Sequence, residues 1–490
     1  MNLSRIVERH AQFTPDKAAL HFEGADISYA QLWARIERAT GTLRAAGVVA
    51  GDRVAWLGLN DPAMLVLLFA LARLGAILLP LNFRLARAEH EAILEHAGAA
   101  WLVSDATYEA AAAGLAATRA LRLLASVSLD RGAAADATTG DDALPILLVY
   151  TSGTTGRPKG ALHTQSGLIW NCVMSTHAHD FSPADHVLTV LPLFHVGGLC
   201  IQTLPALHAG AKVTLHARFD SAAWLADVGR LRPTMSLMVP ATLRAVLEHP
   251  GWAGADLSSL KLLNAGSSVV PESMIAAVHA RGVPVCQVYG ATETGPVTIY
   301  LRREDAFRKA GFAGKVGLHV EVRLTDFTGA PVARGQVGEI RVRGLNVMQG
   351  YWADPSNPAF RDGWFLTGDL AYEDEEGFFR VVGRSKDMII SGGENVYPAE
   401  LENVLADCAE IAECAVVGRE DPRWGEVAVA VVVRKPGSSI DRDAVLALFE
   451  GRLARYKHPR DVVFIDTLPK TALGKVQKAE LRTALVSASR

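Results

Sequence analysis

The sequence predicts an α/β protein: a large N-terminal domain of layered α/β subdomains with a small β-barrel-like unit, followed by a small α+β C-terminal domain. Three observations predict it. Up to residue 300, helical periodicity alternates with short apolar runs closed by Gly, Pro or Asn, the pattern of parallel sheets covered by helices. From 316 to 383 the rhythm changes to short strands and Gly turns, which reads as antiparallel β structure. A chain of 490 residues also exceeds one ordinary core, so two or more domains are expected.

The elements follow in order. The N-terminal MNLSRIVERHAQF lacks the apolar core of a signal peptide. ISYAQLWARIERATGTLRAAGV (27–48) reads as an amphipathic helix ending at Gly47, and DRVAWLGL (52–59) as a strand. The most apolar run, 64–81, is broken by Arg73, Gly75 and Pro80. A membrane span needs about 20 clean apolar residues, so this run predicts a buried helix leading into a strand. Ala-rich 108–120 predicts a surface helix, and 131–142 a loose connector. LPILLV (144–149) is a buried strand, and HVLTVLPL, AKVTLHA, TMSLMVP, LKLLNAG and VPVCQVYG resume the α/β alternation. VEVRLTD, GEIRVRG and GFFRVVGR form the β unit, with EDEEG (373–377) as a solvated hairpin turn. A domain boundary is placed at 384–387, dividing the chain into 1–385 and 386–490. The second part carries strands at CAVVGR and VAVAVVVRKP and a helix at DAVLALFEGRLA. There are no internal repeats.

Composition narrows the function classes. Half the residues are hydrophobic and 21% charged, as in a folded globular chain, and a net charge of −3 gives no sign of a nucleic-acid surface. Cys172, Cys200, Cys286, Cys408 and Cys414 are odd in number, scattered and without a CxxC. They predict a reduced, cytoplasmic chain with buried thiols rather than disulfides or zinc. Peripheral contact with a membrane stays open.

The chemistry begins at YTSGTTGRPKG (150–160), a Gly/Ser/Thr loop after a buried strand, ending in a lysine. Hydroxyls, bare backbone N–H groups and a closing cation suit phosphate. The Walker pattern fails, because Lys159 lies between Pro158 and Gly160 and no Lys-Ser/Thr pair opens a helix. LPLFHVGGL (191–199) sets His195 among apolar residues, where a satisfied core or loop histidine is the simpler reading. LLNAGSSVV (262–270) and QVYGATETG (287–295) read as strands ending in small polar turns, where α/β sheets place ligands. Glu293 there is either a Mg²⁺ ligand beside phosphates or a helix first-turn glutamate. GWFLTGDL (363–370) offers Asp369 to the vicinal hydroxyls of a ribose, against the plainer reading of a turn aspartate. GRSKDMIISGGENVYPAELE (383–402) follows, and LPKTALGKVQK (468–478) carries Lys475, whose bland alternative is an exposed solubilising lysine.

In their joint order and spacing these stretches resemble the adenylate-forming superfamily of acyl-CoA synthetases, carrier-loading adenylation domains and beetle luciferases, over residues 7–478. SGGENVYPAE is most similar to bacterial fatty-acyl and related carboxylate-CoA ligases. The resemblance implies an enzyme of two half-reactions, with Mg²⁺, and with ATP and coenzyme A as co-substrates. A carboxylate attacks the α-phosphate of ATP to give acyl-AMP and pyrophosphate, and the thiol of coenzyme A then displaces AMP. It implies that Thr151, Ser152, Gly153, Thr154, Thr155 and Lys159 cradle the β- and γ-phosphates. Thr292 contacts the α-phosphate, and Glu293 holds Mg²⁺. Gly266, Ser267, Tyr289 and Gly290 frame the adenine, and Asp369 and Arg384 hold the ribose. Lys475 bridges carboxylate and α-phosphate during adenylation. The small domain then turns about Lys386, bringing Gly392, Gly393 and Glu394 to the pantetheine tunnel. Two glycines suit close approach of backbone to a narrow ligand.

The resemblance places the acyl pocket at FHVGGLCIQTL (194–204), VPAT (239–242) and NAGSS (264–268), with His195, Val196, Gly197 and Asn264 as wall residues. The first segment holds no charge unless His195 is protonated, and an isolated buried ion is strongly disfavoured. An apolar monocarboxylate is therefore expected, a medium or longer fatty acid first and a benzoate- or succinylbenzoate-type aryl acid as rival. A carrier protein in place of coenzyme A stays open as acceptor. A non-catalytic nucleotide-binding protein is disfavoured by the presence of both Lys475 and Glu293.

Overall fold

The computed structural model describes residues 2–135, 139–151, 159–266, 270–354, 359–392, 394–471 and 475–488, with backbone alone for 486–488. Ser152, Gly153, Thr154, Thr155, Ser267 and Gly393, all predicted site residues, lie outside the described residues.

Two large sheets form the N-terminal part. In the nine-stranded sheet, Val285–Tyr289, Leu262–Gly266, Met235–Met238, His186–Thr189, Lys212–Leu215 and Ala18–Phe22 run parallel in that spatial order. Ala25–Ser28 closes one edge antiparallel, and Ile299–Tyr300 with Lys315–Val316 the other. In the seven-stranded sheet, Pro145–Thr151, Ile77–Pro80, Arg53–Leu57, Trp101–Ser104 and Arg122–Ala125 are parallel. Lys159–Thr164 and Gly350–Tyr351 extend it antiparallel. One core cluster joins both sheets around the helix Pro62–Leu74, which is buried except at Ala63. A helix enclosed on all sides has no polar face to present, hence its apolar sequence. Asp61 caps it by accepting from Ala63 N–H at 2.7 Å. Its buried Arg73 donates to Ala135 O at 2.8 Å and stacks 4.7 Å over Trp33. The amphipathic helix Tyr29–Ala46 opens on a capping box between Ser28 and Gln31 and stops at Gly47, φ 97°.

The β unit is antiparallel: Val320–Thr325, Gly338–Gly344, Trp364–Glu373 and Phe379–Arg384, with Phe360–Arg361 at one side. Ile340, Val342, Ala371 and Phe379 pack in one cluster with Val288 and Ile299 of the nine-stranded sheet. This places Asp369, within Trp364–Glu373, beside the end of Val285–Tyr289.

The C-terminal part has a sheet of its own, with long hairpin strands Ile411–Asp421 and Gly425–Arg434, and cores on both faces. The helix predicted at 443–454 is shorter than expected, Arg442–Ala447; Gly451 sits at φ 72°, a left-handed conformation that a continuing helix excludes. The Arg244 guanidinium donates to Ala412 O across the seam with the N-terminal part. A cavity of about 180 Å³ remains there, between Arg244, Leu247 and Met274 on one side and Cys408, Ile411 and Lys435 on the other. All five cysteines are free thiols. Among the described residues no helix is long and apolar enough to cross a membrane.

Candidate active site

Thr151 and Lys159 lie opposite each other in an antiparallel hairpin, so Lys159 opens a strand rather than a helix. This is the physical form of the departure from the Walker pattern. The two-residue strand Gly350–Tyr351 pairs with the outer side of that hairpin. It brings Tyr351 beneath Lys159, whose ammonium lies 5.0 Å from the ring centroid. The Tyr351 hydroxyl donates to Glu293 Oε1 at 2.7 Å, and Thr151 Oγ1 approaches the same oxygen at 3.5 Å. Burial and the adjacent Glu293 hold the Tyr351 phenol far above its ordinary range, so it stays a donor. Tyr351 escaped sequence reasoning, since nothing local distinguishes it from any loop tyrosine; only strand pairing delivers it.

Glu293 sits in the short turn Thr292–Thr294, with Thr292 buried. Gly290 before it is required by packing, because a Cβ there would stand 2.3 Å from Pro296 O. Among the described residues no cluster of three or more His, Cys, Asp or Glu forms a ready-made metal cage. Mg²⁺ characteristically takes one or two carboxylates together with substrate phosphates and waters. Glu293 engages protein donors through Oε1, and Oε2 has none among the described residues. The donor set fits Mg²⁺ with Glu293 as its protein ligand.

The second half of the site is built by the β unit. Asp369 and Arg384 are cross-strand partners, and Gly368 (φ 70°) sits where the strand Trp364–Glu373 bulges just before the carboxylate. Asp369 Oδ1 accepts from Arg384 Nε at 2.8 Å, and Oδ2 from the Tyr289 hydroxyl at 2.9 Å. Asp369 raises the Arg384 pKa further, and burial followed by Asp369 holds the Tyr289 phenol well above its ordinary value. Each oxygen keeps a second lone pair for a ligand hydroxyl. Gly266, at the end of the adjacent strand, is tightly packed against its strand partner, since a Cβ would lie 3.0 Å from Val288 O.

His195 caps the helical turn Val196–Gly198, its Nδ1 accepting from Gly197 N–H at 3.0 Å. The proton therefore sits on Nε2. Burial, then Lys475, lowers its pKa to about 4, so the ring is neutral at pH 7. Val196 and Gly197 are buried beside it, and Asn264 is fully buried on Leu262–Gly266. Lys475 keeps solvent access as a residue, yet stands within electrostatic reach of Arg384, Asp369 and His195. Burial of the ammonium, then Arg384, lowers its pKa to about 8. Lys475, Asp369, Arg384, Tyr289 and His195 thus border one space.

Lys386 lies in the linking turn Ser385–Asp387, its carbonyl accepting from Arg482 Nη1 at 3.0 Å. Gly392 and Glu394 sit exposed on the hairpin of Ile389–Ser391 and Glu394–Val396. Among the described residues, they share no hydrogen bond or ion pair with Glu293, Asp369 or Lys475. The structure does not bring this group to the site. Gly392 (φ 62°) packs on Trp424, where a Cβ would come within 2.8 Å of the ring.

The profile of AMP-binding enzymes matches residues 7–352, and that of the AMP-binding enzyme C-terminal domain matches 400–475. The chain is 48% identical to the indoleacetate–CoA ligase of Aromatoleum aromaticum, covering 98% of each chain. It is 45% identical to a feruloyl-CoA synthase of an Amycolatopsis species, covering 97% of each. Its structure superposes on that of ATP-bound MatB from Rhodopseudomonas palustris with a TM-score of 0.92, at 33% identity and full coverage of both chains.

Proposed function

The chain belongs to the AMP-binding enzyme family, a coenzyme A ligase working through an acyl-adenylate, and we propose that the acid it activates is aromatic. The observation that carries this is near-full-length similarity to two ligases named for indoleacetate and ferulate. The pocket supports it. Phe194, Val196, Leu199, Ile201 and Leu237 are buried and apolar, and His195 is neutral, so no buried charge awaits a second carboxylate or an ammonium. The amides of Gln202 and Asn264 are hydrogen-bonded at 2.9 Å between helix and strand, a polar floor that a long alkyl chain would have to break. The sequence ranked a fatty acid first; these two observations put the aryl acid ahead.

Charge develops at the α-phosphate as the carboxylate attacks, and positioned cations and donors lower that barrier. Lys159 and Thr151 meet the outer phosphates, Thr292 the α-phosphate, and Asp369 with Arg384 the ribose. Glu293, oriented by Tyr351, is the residue that would hold Mg²⁺, and the ion would supply charge neutralisation to the phosphates when bound. Lys475 serves adenylation alone. It and the residues Gly392 and Glu394 occupy different parts of the 386–490 domain, so turning about Lys386 would exchange one for the other.

The test is pyrophosphate release from Mg·ATP with indole-3-acetate, ferulate, phenylacetate and benzoate against saturated fatty acids, with and without coenzyme A. Turnover of aryl acids that accelerates with coenzyme A and yields the thioester is expected. Turnover of fatty acids alone overturns the aromatic assignment, and release indifferent to coenzyme A points to a carrier protein as acceptor.

A further inference from the structure

The strand Ile411–Asp421 carries one residue more than its partner can match. Ile411 faces Arg434 and Glu413 faces Val433, so Ala412 between them is left over as a β-bulge. A bulged residue drops out of the ladder, and its backbone groups are free to bond elsewhere. The Ala412 carbonyl accepts from Arg244 Nη1, across the seam between the two parts of the chain. Among the described residues this is the one hydrogen bond or ion pair between residues 1–384 and 389–488. The helix Pro398–Ala406 also lies against the strand Phe379–Arg384. Beside Arg244, however, the seam opens into the cavity of about 180 Å³, so packing there does not duplicate the bond.

Arg244 is placed from the acyl side of the molecule. It lies one turn into the helix Pro240–Leu247, whose Thr242 hydroxyl accepts from Val239 N–H at 3.0 Å and fixes the helix start. On the other side of the seam, the bulged strand holds the segment that carries Lys475. Glu413, next after the bulge, pairs with Lys470. Lys470 bridges Val476 in antiparallel register, and Thr471 N–H donates to Lys475 O at 2.8 Å. Leu468 and Val476, on either side of that closure, pack with Ala415 and Val417 of the same strand. A part-exposed ion pair adds little stability, so the value of Glu413–Lys470 is geometric. Arg244, the bulge, Glu413 and Lys470 form a continuous line from the large domain to the backbone of Lys475.

A charge that must meet a reacting group loses much of its effect when displaced by about 1 Å. Resting on the assignment of adenylation to Lys475, we propose that Arg244 is a positioning residue for that half-reaction. By gripping the bulge at Ala412 it holds the strand, and with it Lys475, in the orientation that borders Asp369, Arg384 and His195. Turning of the small domain must release the grip, so Arg244 serves one half-reaction only.

The test is Arg244→Met in the full-length enzyme, which keeps the aliphatic bulk at the seam and removes the donors. Single-turnover pyrophosphate release, at saturating Mg·ATP and with the fastest acid of the aryl panel, should fall at least about tenfold, the weight of one hydrogen bond from a charged group. Thioester formation from the corresponding supplied acyl-AMP and coenzyme A should be unchanged or faster, which also certifies the fold. Affinity for the acid by calorimetry should hold, whereas damage to the helix Pro240–Leu247 would weaken it. Arg244→Lys, still able to donate, should recover part of the loss. A smaller fall in Arg244→Met, or equal loss of both half-reactions, overturns the inference. Either result leaves the lysine assignment standing where Lys475→Ala loses adenylation alone; equal loss of both half-reactions in Lys475→Ala removes both readings.

Discussion

Raising the pH should disarm Lys475 selectively. Its ammonium has a pKa lowered to about 8, first by burial and then by the like charge of Arg384, with Lys386 adding to it. A lysine lowered in this way is cationic below that value and loses its charge as pH rises through it. With a pKa of about 8, roughly nine-tenths of the free enzyme carries the charge at pH 7 and roughly one-tenth at pH 9. kcat/KM for pyrophosphate release should therefore fall about tenfold across that interval. Bound phosphates favour the cation, so the corresponding limb in kcat should lie at higher pH. Thioester formation from supplied acyl-AMP depends on the thiolate of coenzyme A and should rise over the same range. Lys475→Arg, cationic throughout, should flatten the adenylation limb, and Lys386→Gln should shift it upward by removing one repelling charge. A level adenylation kcat/KM through about pH 9.5, or a limb that survives Lys475→Arg unchanged, refutes the assignment.

Lys475→Ala should abolish adenylation yet spare thioester formation from supplied acyl-AMP, measured as separate half-reactions; equal loss of both would deny the division of labour. Asp369→Asn removes a charged acceptor from Arg384 and Tyr289, and should raise KM for ATP and lower stability by about 1.5–3 kcal/mol in denaturant unfolding. Tyr351→Phe releases Glu293 Oε1 and should raise the Mg²⁺ concentration needed for half-maximal adenylation severalfold, while chelation of divalent cations should stop pyrophosphate release in either protein.

Much of the architecture was legible because it is written in local periodicity. The apolar run at 64–81 folds into a buried helix, Gly75 at φ 72° and a strand, as its breakers indicated. The strand ends at Gly266 and Tyr289 were readable from small turn residues after apolar runs. What stayed hidden depends on distant pairing. Tyr351 belongs to a strand of two residues, too short for any period, and acquires its place from a hairpin almost two hundred positions earlier. Asp369 and Arg384 were each nominated, but their direct bond follows from antiparallel register across a bulge. Gln202 did leave a signal, a lone amide in the apolar FHVGGLCIQTL; its bond to Asn264 joins a helix to a distant strand and could not be read locally. Residue patterns carry no record of which way a buried amide is turned.

The unfilled 180 Å³ between Arg244 and Cys408 leaves the joint between the two parts loosely packed at that point. Atoms lining such a gap forgo dispersion contact, and a space of that size edged by Arg244, Glu248, Asp407 and Lys435 is roomy and polar enough for water. Rotation there exchanges one wetted surface for another instead of tearing open a dry one. Under the rotation proposed above, the occupant of the catalytic space would bias the orientation: nucleotide phosphates would draw Lys475 inward, and their departure as pyrophosphate would remove that attraction. On that reading, the charge of the cargo would set the timing of the exchange.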